Sequence, residues 1–122
     1  MQRNLNILIA DEPAGWINTF AGDLQTLYIN MHIVQTEEQG FDIIRQNRLD
    51  LALIASDVPR FGGLEFIRRV HRYSEELPVI VLGSRIENRW LQEALKIGVK
   101  TILPRPINID RLVEVSMKIL CT

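Results

Sequence analysis

Apolar residues fall along the chain in two textures, short unbroken runs and longer stretches in which they recur every three or four positions. Leu5 to Ala10 is the first run and predicts a buried strand. Ala14 to Tyr28 spaces Trp16, Ile17, Phe20, Leu24 and Leu27 as one face of a helix. Met31 to Gln35 predicts a second short strand. Thr36 with Gln39 three residues on has the pattern of a capping box, opening a helix that carries Phe41, Ile43 and Ile44 and ends near Asn47. Leu51 to Ala55 is apolar throughout, as a strand covered on both faces would be. A loop with Pro59, Gly62 and Gly63 follows. Leu64, Ile67, Val70 and His71 then mark a helix to about Tyr73. Pro78 stops helix propagation and opens the run Val79 to Leu82. Asn88 to Ile97 is helical, and Gly98 sits where a helix C-cap glycine belongs. Thr101 to Leu103 predicts the last strand. Asn108 or Asp110 starts a closing helix with Leu112, Val115, Met117 and Ile119.

Strand and helix thus alternate five times. That pattern implies an α/β fold, a parallel sheet with helices on both faces. The 122 residues suffice for one domain with one sizeable core, and no repeat or linker divides them. The closing helix runs to the end of the chain, so no output domain is expected within it. Open sheets of this kind bind ligands outside the carboxyl ends of their strands. The loops after Ala10, Ala55, Leu82 and Leu103 are therefore expected to converge on one site.

Composition narrows the classes. The chain is 47% hydrophobic and 24% charged with a net charge of −1, ordinary for a globular domain. It lacks the basic footprint that nucleic-acid binding needs, a polybasic membrane patch and an apolar run long enough to span a bilayer. The start of the chain turns acidic too soon for a signal peptide. Cys121 is the single cysteine, which fits a reducing, cytoplasmic setting and reads as an incidental thiol. His32 and His71 have no second ligand at metal spacing and read as structural.

Chemistry concentrates in the four loops. Asp11 and Glu12 end the first strand. Adjacent carboxylates there suit a divalent cation, which prefers oxygen ligands. They equally suit a helix start, since acids favour the N-terminus and Pro13 its first turn. The residues alone leave both readings open.

Taken together, the loops and strands resemble a known family. Ile7-Leu8-Ile9-Ala10-Asp11-Glu12-Pro13, Asp50-Leu51-Ala52-Leu53-Ile54-Ala55 with Pro59, Gly63, Leu64 and Glu65, Leu77-Pro78-Val79-Ile80-Val81-Leu82, Ala94-Leu95, Gly98-Val99 and Leu103-Pro104-Arg105-Pro106 are similar, in order and spacing, to the receiver domains of two-component response regulators. The resemblance implies a CheY-like (flavodoxin-like) fold with strand order 2-1-3-4-5. It also implies phosphoryl transfer from a partner histidine kinase to an aspartate at the tip of the third strand. Mg²⁺ on the acidic pair, a Thr or Ser after the fourth strand and a Lys before a Pro after the fifth would assist.

The sequence departs from that pattern where the chemistry lies. Counting back from Pro59 and Gly63 puts Ala55 at the phosphoacceptor position, and alanine has no nucleophile. Gly83 stands at the Thr/Ser position, with Ser84 one residue late. Arg105 replaces the Lys, and Ile102 an aromatic residue that reports phosphorylation. Asp57 lies just outside the old site and reads as a solvated loop acid.

The expectation is a pseudo-receiver, not an enzyme, that works by binding a protein: a kinase, an output domain or a second copy. Its pocket is compensated internally, with Arg105 reaching towards Asp11 and Glu12 and with only weak Mg²⁺ binding on those two acids. Arg60 and Arg85 are read as solvent-exposed. The resemblance implies a cis Arg105–Pro106 bond. Trp90, Leu91, Leu95, Ile102, Val113 and Met117 are the candidate interaction face, and Trp16, at the start of the first helix near the acidic loop, either shields the site or, as preferred, is a helix-surface aromatic. Two alternatives differ in class. One is a receiver still phosphorylated at Asp57 or Ser84. The other is a flavodoxin-like cofactor carrier, disfavoured because Asp11-Glu12-Pro13 offers negative charge and a missing donor where a phosphate cradle needs backbone N–H groups.

Overall fold

The computed structural model describes residues 4–24, 27–58, 61, 63–84 and 86–121. Pro59, Arg60, Gly62 and Arg85 lie outside the described residues. Strands β1 (Leu5–Ala10), β2 (Ile29–Val34), β3 (Leu51–Ala55), β4 (Val79–Leu82) and β5 (Val99–Leu103) alternate with helices α1 (Gly15–Asp23), α2 (Glu37–Gln46), α3 (Leu64–Tyr73), α4 (Asn88–Lys96) and α5 (Ile109–Leu120). All strand pairs are parallel, in the order β2-β1-β3-β4-β5. The chain folds as the five-stranded CheY-like sheet with helices on both faces.

Two cores follow from the alternation of side chains along the strands. Leu8, Ala52, Ile54, Val79 and Val81 pack with Phe41, Ile44, Phe66, Ile67, Val70 and Ala94 of α2, α3 and α4. Ile7, Ile9, Leu51, Leu53, Ile80 and Leu82 pack with Ile17, Phe20 and Leu112 of α1 and α5. β3 is buried along its whole length because it is central and covered on both sides. Each large side chain buried here contributes about 1.5–3 kcal/mol relative to exposure.

Element ends follow local chemistry. Thr36 Oγ1 accepts the Gln39 N–H at 3.1 Å, so it caps α2. Gln39 Oε1 accepts the Gln35 N–H at 2.9 Å, one residue earlier than a standard capping box would have it. Asn108 caps α5 by accepting the Arg111 N–H at 3.0 Å. Gly98 has φ 98° and would bring a Cβ to within 3.4 Å of the His71 ring, so the turn out of α4 needs glycine. His71 Nε2 lies 3.0 Å from the Leu77 carbonyl, which makes that nitrogen a donor and ties α3 to the approach to β4.

Three boundaries differ from the periodicity. α1 ends at Asp23, not near Tyr28: the Leu24 N–H still bonds back to Phe20, but the Leu27 N–H closes a turn onto Leu24. Asn18, Thr19, Gly22 and Asp23 are weak helix formers, and the apolar spacing beyond them belongs to that turn. β2 begins at Ile29, two residues early, and ends at Val34. It is an edge strand, so exposed Asn30 interrupts the apolar run without ending the ladder. β5 begins at Val99, with Lys100 pointing to solvent at an irregularity in the β4 pairing.

Candidate functional site

The carboxyl edge of the sheet gathers the loops after β1, β3, β4 and β5, and one residue touches the other three. Arg105, in the loop after β5, donates from Nη2 to Asp11 Oδ2 at 2.8 Å and from Nε to Asp57 Oδ2 at 2.7 Å. Its backbone N–H donates to Ser84 Oγ at 3.0 Å, and the Ser84 hydroxyl donates to the Arg105 carbonyl at 3.1 Å. The Arg105–Pro106 bond is cis, as the resemblance implies.

Asp11 is the buried member of this group. Its side chain is 4% exposed, against 25% for Arg105 and 35% for Asp57. Oδ1 accepts the Glu12 N–H at 2.7 Å, and Oδ2 accepts the Trp16 indole N–H at 3.2 Å beside the Arg105 bond. A carboxylate buried to that degree is retained only if paired and hydrogen-bonded, and here it has three donors among the described residues. Burial depresses the Arg105 pKa, but hydrogen bonds and charge attraction from Asp57 and Asp11 outweigh it, and the net shift is upward. The guanidinium is therefore a fixed positive charge.

Three sequence readings gain or change partners in the structure. Asp57 is no isolated loop acid, because it holds one arm of Arg105. Trp16 is no plain surface aromatic, because it donates to Asp11 and leans on Phe20 with ring centroids 6.1 Å apart. The expected Arg105 contact with Asp11 and Glu12 reaches Asp11 and Asp57, while Glu12 is exposed. The only sequence signal for Asp57 was its place two residues beyond the strand tip, and nothing in the one-dimensional pattern aims Trp16 at Asp11.

Ala55 ends β3 with no exposed surface. Ala10 pairs with Ile54 and Ala55 with Leu82, so Ala55 lies level with Asp11, between β1 and β4. Beside it, Ser56 donates its hydroxyl to the Leu82 carbonyl at 3.3 Å. A Cβ added at Gly83 would collide with that hydroxyl. Ser56 and Gly83 are thus complementary: the third strand's exit fills space that a side chain at 83 would need. The sequence reading missed Ser56, which becomes visible only once the β3–β4 register is known.

A cleft of about 280 Å³ opens over Asp11, Glu12, Pro13, Asp57, Val58 and Arg105. The oxygens in it do not fit a divalent cation as they stand. Mg²⁺ requires near-octahedral oxygen coordination, whereas Asp11 and Asp57 are turned to Arg105 and position 55 carries a methyl group. Among the described residues no cluster of three His, Cys, Asp or Glu side chains has metal-binding geometry.

The candidate interaction face divides. Leu91 and half-exposed Leu95 of α4, with Ile86 and Ile102, line a mostly apolar groove of about 490 Å³ between α4 and β5. Ser84 lies on its wall, so one side chain borders both the groove and the Arg105 junction. Trp90 is half-buried against the α2–α3–α4 core, and Val113 and Met117 lean on the α1–α5 core.

Comparison with known proteins agrees with this architecture. The profile of the response regulator receiver domain family matches residues 7–116. The chain is 29% identical over 82 residues to sporulation initiation phosphotransferase F of Bacillus subtilis, covering 67% of this chain and 66% of that protein. It is 25% identical over 108 residues to response regulator MprA of Mycobacterium sp. (strain KMS), covering 88% of this chain but only 47% of that protein. The chain thus spans about half the length of the latter relative. A response regulator from Thermotoga maritima shares the fold with TM-score 0.83 at 20% identity, over 98% of this chain and 100% of that one. Among the described residues no helix is long and apolar enough to cross a membrane.

Proposed function

The chain belongs to the response regulator receiver domain family, and from that premise we propose that it is a receiver that signals through protein contact without phosphorylation at the usual site. Ala55 carries this reading. It occupies the carboxyl tip of the third strand, level with Asp11 and fully buried, where the family's chemistry calls for a carboxylate. A methyl group cannot attack phosphorus. The filling of the Gly83 space by Ser56 supports the same reading, since the neighbouring hydroxyl position is also given up.

The substitute acceptors are engaged elsewhere. Asp57 bonds the Arg105 side chain, and the Ser84 hydroxyl both donates to and accepts from the Arg105 backbone. Phosphorylation of either would first have to undo those bonds. With no covalent input at position 55, output rests on shape. The apolar groove between α4 and β5 is the surface best suited to a protein partner, and the whole protein's pathway follows from what occupies it.

Incubation with acetyl phosphate and Mg²⁺, read by intact mass, tests the proposal. The expected result is no phosphoryl adduct. An adduct cleaved by hydroxylamine and removed by Asp57→Asn, or a hydroxylamine-stable one removed by Ser84→Ala, would replace this reading with an active receiver of unusual chemistry.

A further inference from the structure

We infer that Arg105 is the resident cation of the acidic cleft and stands in place of a divalent metal, so that the protein excludes Mg²⁺ with its own side chain. The inference shares its cleft with the proposed function and rests on that reading for the missing carboxylate at position 55. Its test reads metal, not phosphate, so the two can fail separately.

A divalent ion in this cleft would draw on Asp11 first, the one carboxylate nearly removed from water. Asp11 Oδ2 is already held by Arg105 Nη2 at 2.8 Å and by the Trp16 indole N–H at 3.2 Å, while Oδ1 is held by the Glu12 N–H at 2.7 Å. Asp57 would come second, and its Oδ2 is held by Arg105 Nε at 2.7 Å. To coordinate both acids an ion must displace one guanidinium that bonds them at once. Arginine suits that post, since its rigid fork aims two N–H donors at two acceptors and its charge is permanent. A lysine would offer a single point charge on a flexible stem, easily swung aside when metal enters.

The exclusion has a structural consequence. Metal bound on acids only from the loops after β1 and β3 would leave the loops after β4 and β5 out of the junction. Arg105 includes them, through its own backbone and Ser84. Arg105 by itself joins the four loops, so the groove wall at Ser84 does not wait on metal.

The inference is tested by titrating Mg²⁺ into the intact protein and following Trp16 fluorescence in a Trp90→Phe background, where Trp16 is the only remaining tryptophan. Mn²⁺ titration followed by electron paramagnetic resonance of the free ion gives a second readout that does not depend on tryptophan. With Arg105 present, no saturable response is expected at millimolar metal. Arg105→Ala is expected to tighten binding about tenfold or more, the scale of one charge-assisted contact removed from competition. Asp11→Asn added to that variant is expected to abolish the gain. Arg105→Lys is expected to give an intermediate affinity, and it carries the test if Arg105→Ala fails to fold by circular dichroism. Saturable Mg²⁺ binding to the parent protein as tight as to the variants would overturn the inference. So would folded Arg105→Ala or Arg105→Lys protein that binds metal no better than the parent.

Discussion

The two ends of the sheet solve the same problem with different chemistry. At the amino edge, Asn6 Oδ1 lies 3.3 Å from Asn30 Nδ2 and 3.0 Å from His32 Nε2, and Asn6 Nδ2 donates to the Arg48 carbonyl at 3.1 Å. The Asn6 backbone N–H donates to Asp50 Oδ2 at 2.7 Å. β2, β1 and the entrance to β3 are thereby stitched largely by neutral side chains. At the carboxyl edge the stitching is ionic, with one arginine across two carboxylates. The neutral network only holds strands together. The charged one sits where the fold places its ligands, and there one side chain answers two acids. Acids gathered at a buried sheet end must be balanced, and here the balance comes from within the chain.

That contrast is most severely strained by Arg105→Ala. The substitution leaves Asp11 buried without its countercharge, a situation that costs about 3–5 kcal/mol for a fully buried pair. Since Arg105 and Asp57 are partly solvated, we expect about 2–3 kcal/mol, measured by urea unfolding in metal-free buffer. A loss below about 0.5 kcal/mol would mean that water already balances Asp11 and that the carboxyl edge resembles a surface pair. Next in size is Asn6→Ala at the opposite edge, which removes an acceptor of two bonds and a donor of one. We expect about 1–2 kcal/mol. Unlike the loss from Arg105→Ala, it should be almost unchanged between low and high salt, because the bonds it removes from the side chain are uncharged.

Much of the two cores could be read from the sequence, because they depend on period, whereas the Asn6 network at the amino edge could not. Leu51 to Ala55 announces a central strand by being apolar at every position, and Phe66, Ile67 and Val70 announce the buried face of α3. The carboxyl edge was legible only in part. Asp11 could be singled out as an acid at a strand exit, but Ala55, Gly83 and Arg105 only through the resemblance to receiver domains, with Pro59 and Gly63 locating Ala55 and Pro106 locating Arg105. Ser56 could not, and Trp16 only as an aromatic near the acidic loop. The aim of Trp16 depends on how α1 leaves the loop, and the role of Ser56 on its being opposite Gly83 across the β3–β4 pair. The tie of Asp57 to Arg105 was not legible because that partner lies 48 residues away, and no local pattern carries a contact of that range.

A finer cut compares members within the carboxyl edge. Trp16→Phe keeps an aromatic ring against Phe20 and removes only the indole N–H bond to Asp11. We expect a loss of about 1 kcal/mol in urea unfolding, near the value of one hydrogen bond to a charged group that is slightly long. If Trp16→Ala cost no more than Trp16→Phe, the ring would contribute nothing by packing, and the bond to Asp11 would be its whole role.

The smallest effect separates the two arms of Arg105. Asp57→Asn keeps an oxygen able to accept the Nε–H, so it removes charge and not the bond. Its side chain is 35% exposed where that of Asp11 is 4% exposed, and solvent screens the charge it gives up. Asp11 also remains to hold the guanidinium, so no buried cation is stranded. We expect about 0.5 kcal/mol at low ionic strength, fading as salt is raised past a Debye length comparable with the contact. Asp11→Asn should cost several times more, because the charge it deletes is the one the guanidinium meets away from water. Equal losses from the two substitutions, measured side by side in the same urea series, would show that the arms are equivalent. Arg105 would then be a surface clamp and not the counterion of a buried acid.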